Sequence, residues 1–171
     1  TEAPESEATA TPAPTAAPTA APTAAPTVDP NAPTVSVNNV TAKAGEEVTV
    51  TVSVANNPGI VSMMLDVAYD GIFEIVKVED TAVFPGVMHS DDFELNPYRL
   101  CWANDTIPEN LYTNGDFVDI TFKVADNAAD GVYPITLSYD NDEWFIYDVD
   151  LVTVDFATVA GSITIGEVAQ P

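Results

Sequence analysis

Cationic side chains are what this sequence has least of. Four Lys and Arg stand against 27 Asp and Glu in 171 residues, a formal net charge of −23. Nucleic-acid binding rests on neutralising phosphates with Lys and Arg, so this balance argues against such a partner. It argues equally against an anionic membrane surface, and it suits a cationic or metal-containing partner. No run of about 18 apolar residues occurs, so no membrane-spanning helix is expected. One cysteine, Cys101, leaves no intrachain disulfide. In a strand-like run it reads as a small apolar filler. CxxC, HExxH and nucleophile-elbow motifs are missing, and His89 is the single histidine. No secretory signal opens the chain. The acidic, polar stretch Thr1–Glu7 reads as the start of a piece cut from something longer.

What is present divides in two. Residues 1–33 hold eight of the fourteen prolines and no aromatic residue, and Pro14–Thr27 repeats PTAA with a period of four. Such a stretch cannot bury apolar surface and resists helix and sheet alike, so a disordered or extended linker with polyproline character is expected. Its threonines are candidate sites for O-linked sugars. A spacer of this kind implies a secreted, modular protein.

Residues 34–171 are enough for one domain. The clearest pattern lies in Gly59–Asp80. From Ile60 to Tyr69 one parity reads Val61, Met63, Leu65, Val67, Tyr69, and the other reads Ser62, Met64, Asp66, Ala68. Alternation of period two predicts a strand with the first row toward a core. Met64 is then the anomaly, a large apolar residue on the outward row. Further strands are predicted over Thr34–Val40, Glu47–Ala55, Phe73–Val78, Tyr98–Asn104, Gly115–Ala125, Val132–Tyr139, within Trp144–Val154, and over Val159–Ile165. Thr81–Pro97 reads as irregular. Val48, Val50, Val52 and Val54 form one inward row, and Val118, Ile120, Phe122 and Val124 another. About nine short strands, turn signals between them and no helical period predict an all-β sandwich, with jelly-roll topology as the expected variant.

Catalytic chemistry finds little support. Twenty-three of the 27 acidic residues lie in this domain, so chance carboxylate pairs are expected. Asp91-Asp92-Glu94 and Asp140-Asp142-Glu143 read as solvated acidic surface, because a glycosidase pair needs a cleft and a fixed separation. Asp140–Glu143 with Asp148 and Asp150 offers oxygen ligands of the type calcium takes, without the spacing of an EF-hand loop. His89 reads as a loop histidine. Exposed apolar residues carry more information. Leu100 and Trp102 share an inward parity, which leaves Arg99, Cys101 and Ala103 outward beside the Met64 row. A flat patch of Met, small residues and a few polar groups has the composition of a protein-recognition surface.

The ordered stretches VSVNNVTAKAGEEVTVTVSVAN, PGIVSMMLDVAYD, FEIVKVED, RLCWAND, NGDFVDITFKVAD, DGVYPITLSYD and VAGSITIG, behind a Pro/Thr linker, resemble the cohesin module of cellulosomal scaffolding proteins, type I-like. The resemblance covers nearly all of Thr34–Gly166. It implies a nine-stranded jelly-roll sandwich that is not an enzyme and needs no cofactor or metal of its own. It also implies a dockerin-bearing partner, an enzyme or second scaffoldin, with calcium on the dockerin, and a monomeric, secreted or cell-surface bacterial setting. The implied partner-binding face is built by the third, fifth, sixth and eighth strands. Carried over by position, it includes Ser62, Met64, Asp66, Arg99, Cys101, Ala103 and Asn104, with Asp105, Leu111 and Tyr112 from the following loop. Where clostridial cohesins have an Asn and an Asp, Ser62 and Met64 stand here, and Asn104 replaces a Glu. A hydrophobic-centred interface anchored by Met64 and Leu111, with altered dockerin specificity, follows. The competing reading is a carbohydrate-binding module, which would need a row of exposed Trp or Tyr. Trp102 reads as core and Trp144 is ambiguous. A purely structural spacer domain is the second competitor.

Overall fold

The computed structural model describes residues 29–104, 109–140 and 146–166. Among them twelve strands form two sheets. The first sheet is built around β3 (Glu47–Ala55), whose bounds are those its alternation predicts. On one edge of β3 lies β1 (Thr34–Val37), which pairs in parallel with β11 (Ala157–Val159). On the other edge lies β8 (Gly115–Val124), followed by β5 (Phe73–Asp80). The second sheet runs in the order β2 (Asn39–Ala42), β12 (Gly161–Ile165), β9 (Gly131–Ser138), β4 (Ser62–Ala68), β7 (Tyr98–Ala103), β6 (Met88–His89). A two-residue strand, β10 (Ile146–Tyr147), pairs with Ser62 and Met63, on the edge of β4 that β9 takes from Asp66 onward. The architecture is a jelly-roll β-sandwich.

Twelve strands replace the nine expected because predicted runs are cut where the chain changes sheets. The run over Thr34–Val40 leaves the first sheet at Asn38 and enters the second as β2. Asn38 makes that corner by accepting the Thr51 amide on its side chain (2.9 Å) while its own amide donates to the Thr51 carbonyl (3.2 Å). The closing run divides at Ala160 in the same way, giving β11 and β12. At this second corner a Cβ on Gly161 would lie 2.2 Å from the Asn38 carbonyl oxygen and 2.6 Å from that of Val37. Only glycine admits so close an approach of two backbones. Two other departures are local. β6 lies inside the segment read as irregular, and Trp144, expected near a strand, falls outside the described residues.

The sheets close on one apolar core. Val50, Val52, Val54, Ile120, Phe122 and Val124 point inward from the first sheet, and Met63, Leu65, Val67, Leu100 and Trp102 from the second. The predicted inward row of β4 therefore holds from Met63 to Val67. At the strand's start it breaks: Ile60 is buried and Val61 half-exposed, because Gly59 takes a positive φ of 110° and turns the chain. In β8 the register slips between Val52 and Ser53, so Phe117 and Val118 are both buried. That bulge carries Phe117 into an edge-on cluster with Phe84 (5.3 Å), which in turn meets Trp102 (5.3 Å).

The outward face of the first sheet is polar and laced to itself. Thr51 Oγ1 donates to Asp119 Oδ1 (2.6 Å), Ser53 Oγ donates to Asp116 Oδ1 (2.8 Å), and the Thr49 and Thr121 hydroxyls share a bond of 2.9 Å. Ahead of β1, the Asn56 side-chain amide donates to the carbonyls of Pro30 (2.9 Å) and Ala32 (3.0 Å). The Ala157 amide donates to the Pro33 carbonyl (2.8 Å).

Candidate functional site

The outward face of the second sheet is different in chemistry. Its centre is the antiparallel pair β4 and β7, whose register sets Ser62 opposite Ala103, Met64 opposite Cys101 and Asp66 opposite Arg99. Directly opposed residues share a face. Met64, Asp66, Arg99, Cys101 and Ala103 are therefore brought together, as the alternation predicts. Ser62 lies in the same row but is buried, with 8% of its surface exposed, between Ala103 on one neighbouring strand and Tyr147 on the other.

The two charged residues on this face pair with each other. Arg99 Nε donates to Asp66 Oδ1 at 2.7 Å and Nη2 to Oδ2 at 2.8 Å, a forked contact that occupies both carboxylate oxygens. Cys101, half-buried between Met64 and the edge strand, has its thiol pKa pushed up by burial, with a smaller lowering from Arg99 and a further rise from Asp66. It is thereby held as a neutral, weakly polar thiol at neutral pH.

The loop residues form a second region at the start of β4. Leu111 exchanges backbone hydrogen bonds with Ile60 (3.1 and 2.8 Å) and packs partly into the core. Leu111 thus lies beside Ile60, just ahead of β4, while Met64 lies within that strand. Tyr112 is the sole aromatic among the large apolar side chains that the described residues expose, at 62%. Its ring lies over Gly59, where a Cβ would come within 2.5 Å of it. Asn104 serves the loop: its backbone amide donates to Val61 (2.8 Å) and its side chain to the Glu109 carbonyl (3.0 Å). Asp105 lies outside the described residues. A cleft of about 280 Å³ opens beside this region, lined by Val83, Pro85, Gly86, Trp102 and Leu111 among others.

Two residues that sequence reasoning passed over shape the site. Asn57, read only as turn chemistry, is buried. Its side chain donates to the carbonyls of Leu111 (2.9 Å) and Thr113 (3.1 Å) and accepts the Gly59 amide (2.9 Å). It fixes the loop that carries Tyr112. Met88, on edge strand β6, stands opposite Cys101 and is 57% exposed. A strand of two residues has no period to read, so nothing in the alternation could place it.

Among the described residues no group of three or more His, Cys, Asp or Glu is placed to hold a metal ion. Asp142 and Glu143 of the acidic stretch lie outside them. His89 is half-buried, with Nδ1 3.0 Å from Tyr98 Oη and 3.1 Å from the Ser90 carbonyl, and its ring stacks on Phe93. Trp102 is core. No helix among the described residues is long and apolar enough to cross a membrane.

The sequence model of the cohesin domain family matches residues 33–165. Over 136 residues the chain is 30% identical to cellulose-binding protein A of Clostridium cellulovorans, a match that covers 77% of this chain and 7% of that protein. The chain thus spans a small fraction of the length of this curated relative. Among solved structures, the Coh-OlpA–Doc918 type I cohesin–dockerin complex of Clostridium thermocellum contains a chain that matches with a TM-score of 0.68 and 22% identity, over 79% of this chain and 99% of that one. A non-cellulosomal cohesin from Archaeoglobus fulgidus matches with a TM-score of 0.66 and 20% identity, over 80% and 92%. At these identities the structural likenesses establish the fold.

Proposed function

Because this chain belongs to the cohesin domain family, whose members are non-catalytic recognition modules, we propose that it is the dockerin-binding module of a scaffolding protein that assembles polysaccharide-degrading enzymes outside the cell. The observation that carries this reading is the family match over residues 33–165, essentially the whole sandwich. The outward face of β4 and β7 is the surface of that module best suited to a partner. Asp66 and Arg99 on it pair with each other, and its centre is Met64 against Cys101. A rigid sheet loses little entropy on binding, so the patch is preformed. The binding residues are Met64, Asp66, Arg99, Cys101 and Ala103, with Ser62, Asn104, Leu111 and Tyr112 at the start of β4, and Asp105 by its place in the sequence. The Pro/Thr/Ala segment ahead of the sandwich acts as a spacer that sets reach. Calcium belongs to the dockerin.

Calorimetric titration of the full chain against a panel of dockerins, each in calcium and again in chelator, tests the reading. Tight one-to-one binding to a dockerin, abolished in chelator, is the expected result. No binding across the panel, together with retention on insoluble cellulose or starch, would overturn it in favour of sugar recognition. The buried Trp102 speaks against that outcome, since an indole in the core offers no face to a sugar ring.

A further inference from the structure

Four sulfur atoms occur in this chain, in Met63, Met64, Met88 and Cys101. Met63 is in the core. The other three stand in one cross-strand row. Met64 on β4 faces Cys101 on β7, and Cys101 faces Met88 on β6. On the β4 and β7 strands the next outward residues in one direction are Asp66 and Arg99, locked to each other. In the other direction they are buried Ser62 and small Ala103. The row is therefore an apolar stripe flanked along both sides, on a protein with a strongly acidic composition.

Met88 is exposed because it is held there. The residue before it, Val87, is buried. The residue after it, His89, pairs with Leu100 and is pinned by its ring, between Phe93 and the Tyr98 hydroxyl. A loop that merely wandered would not fix both neighbours and leave the middle side chain outward. Single exposed apolar residues need no explanation. Three sulfur-bearing side chains aligned across three strands, the outermost one anchored on both sides, do. Thioethers are unbranched and polarisable, so they mould to an apolar surface instead of demanding one hydrogen-bond geometry.

Resting on the dockerin reading, we propose that Met88 completes a Met64–Cys101–Met88 stripe that determines specificity. The stripe selects a dockerin whose contacting helix presents aliphatic or aromatic side chains at its centre, and it rejects one presenting hydroxyl or charged groups there. Burying such polar groups against thioethers leaves them without hydrogen-bond partners, which is the stronger half of the discrimination.

The full chain, labelled with ¹³C in the methionine methyl groups, gives one signal for each of its three methionines. It is titrated with whichever calcium-loaded dockerin binds in the panel above. The Met64 and Met88 signals move and show intermolecular contacts to aliphatic or aromatic protons, while Met63, in the core, reports that the fold is unchanged. In parallel, Met88→Gln, which keeps the length of the side chain and makes its end polar, weakens that dockerin at least about tenfold. A dockerin that binds while the Met88 signal stays still, or that binds Met88→Gln as tightly as the unaltered chain, overturns the inference and leaves the dockerin reading standing. So does a Met88 methyl whose contacts are only to polar residues. A chain that binds no dockerin overturns both.

Discussion

Arg99 reaches across from β7 and takes both carboxylate oxygens of Asp66 on β4, at 2.7 and 2.8 Å. The Arg99 side chain is 49% exposed and that of Asp66 17%. The pair is thus a surface fork, partly screened by water, and its expected worth is small. A double-mutant cycle on Asp66→Asn and Arg99→Gln, read by denaturant unfolding, should give a coupling of about 0.2–1 kcal/mol. A coupling well above that would mean that the fork also holds the register of β4 against β7.

Recognition should depend on the neighbouring row more than on this pair. Met64 sits at the middle of β4 with Cys101 opposite. Placing a carboxylate there, as in Met64→Asp, puts a charge on the apolar stripe and a like charge two residues from Asp66 on the same face. Dockerin affinity is expected to fall by about 2 kcal/mol or more, the threshold of an interface hot spot. Titration calorimetry measures it, and an unchanged affinity would remove Met64 from the face.

Most of the sandwich was legible because it rests on alternation. β3 and the inward row of β4 follow from which residues are apolar, since a period of two leaves little choice of face. The pairs Met64–Cys101 and Asp66–Arg99 were legible only as two outward rows; their register comes from tertiary pairing. The corner at Asn38, the bulge at Phe117 and the strand holding Met88 were not legible. Each depends on a backbone meeting another backbone far away in sequence, and none leaves a periodic trace. Asn57 is the same case. As a turn residue bonded to the nearby Gly59 amide it looks ordinary, and its value lies in the Leu111 and Thr113 carbonyls, which only the fold brings within reach.

The corner at Gly161 makes a sharp prediction about stability. The atoms that an added Cβ would strike belong to the Asn38 and Val37 backbones, which cannot swing away as a side chain can. Gly161→Ala should therefore cost about 3 kcal/mol, the upper end of overpacking penalties, with β12 forced off the corner. The midpoint of urea unfolding reports it. A loss below about 1 kcal/mol would show that the crossing strands can separate at little cost.

Alkaline stability should depend on Tyr98. Burial pushes its hydroxyl pKa up to about 12, with Asp91 and Tyr69 adding to the rise. The hydroxyl donates to the Ser90 carbonyl and lies against His89 Nδ1, so the neutral form is the one the fold holds. An unfolded tyrosine ionises near pH 10. Between that value and about 12 the folded state keeps a proton that the unfolded state gives up, so stability falls as pH rises through this window and is fully present below it. Tyr69, whose pKa burial also raises, contributes in the same direction. In Tyr98→Phe the slope of melting temperature against pH above 10 should become shallower without vanishing. Below that pH the variant should lose about 1 kcal/mol from the missing hydrogen bond. If the slope is instead unchanged, the alkaline loss belongs to Tyr69 or to charge repulsion across the acidic surface, and the Tyr98 hydroxyl is not the group that titrates.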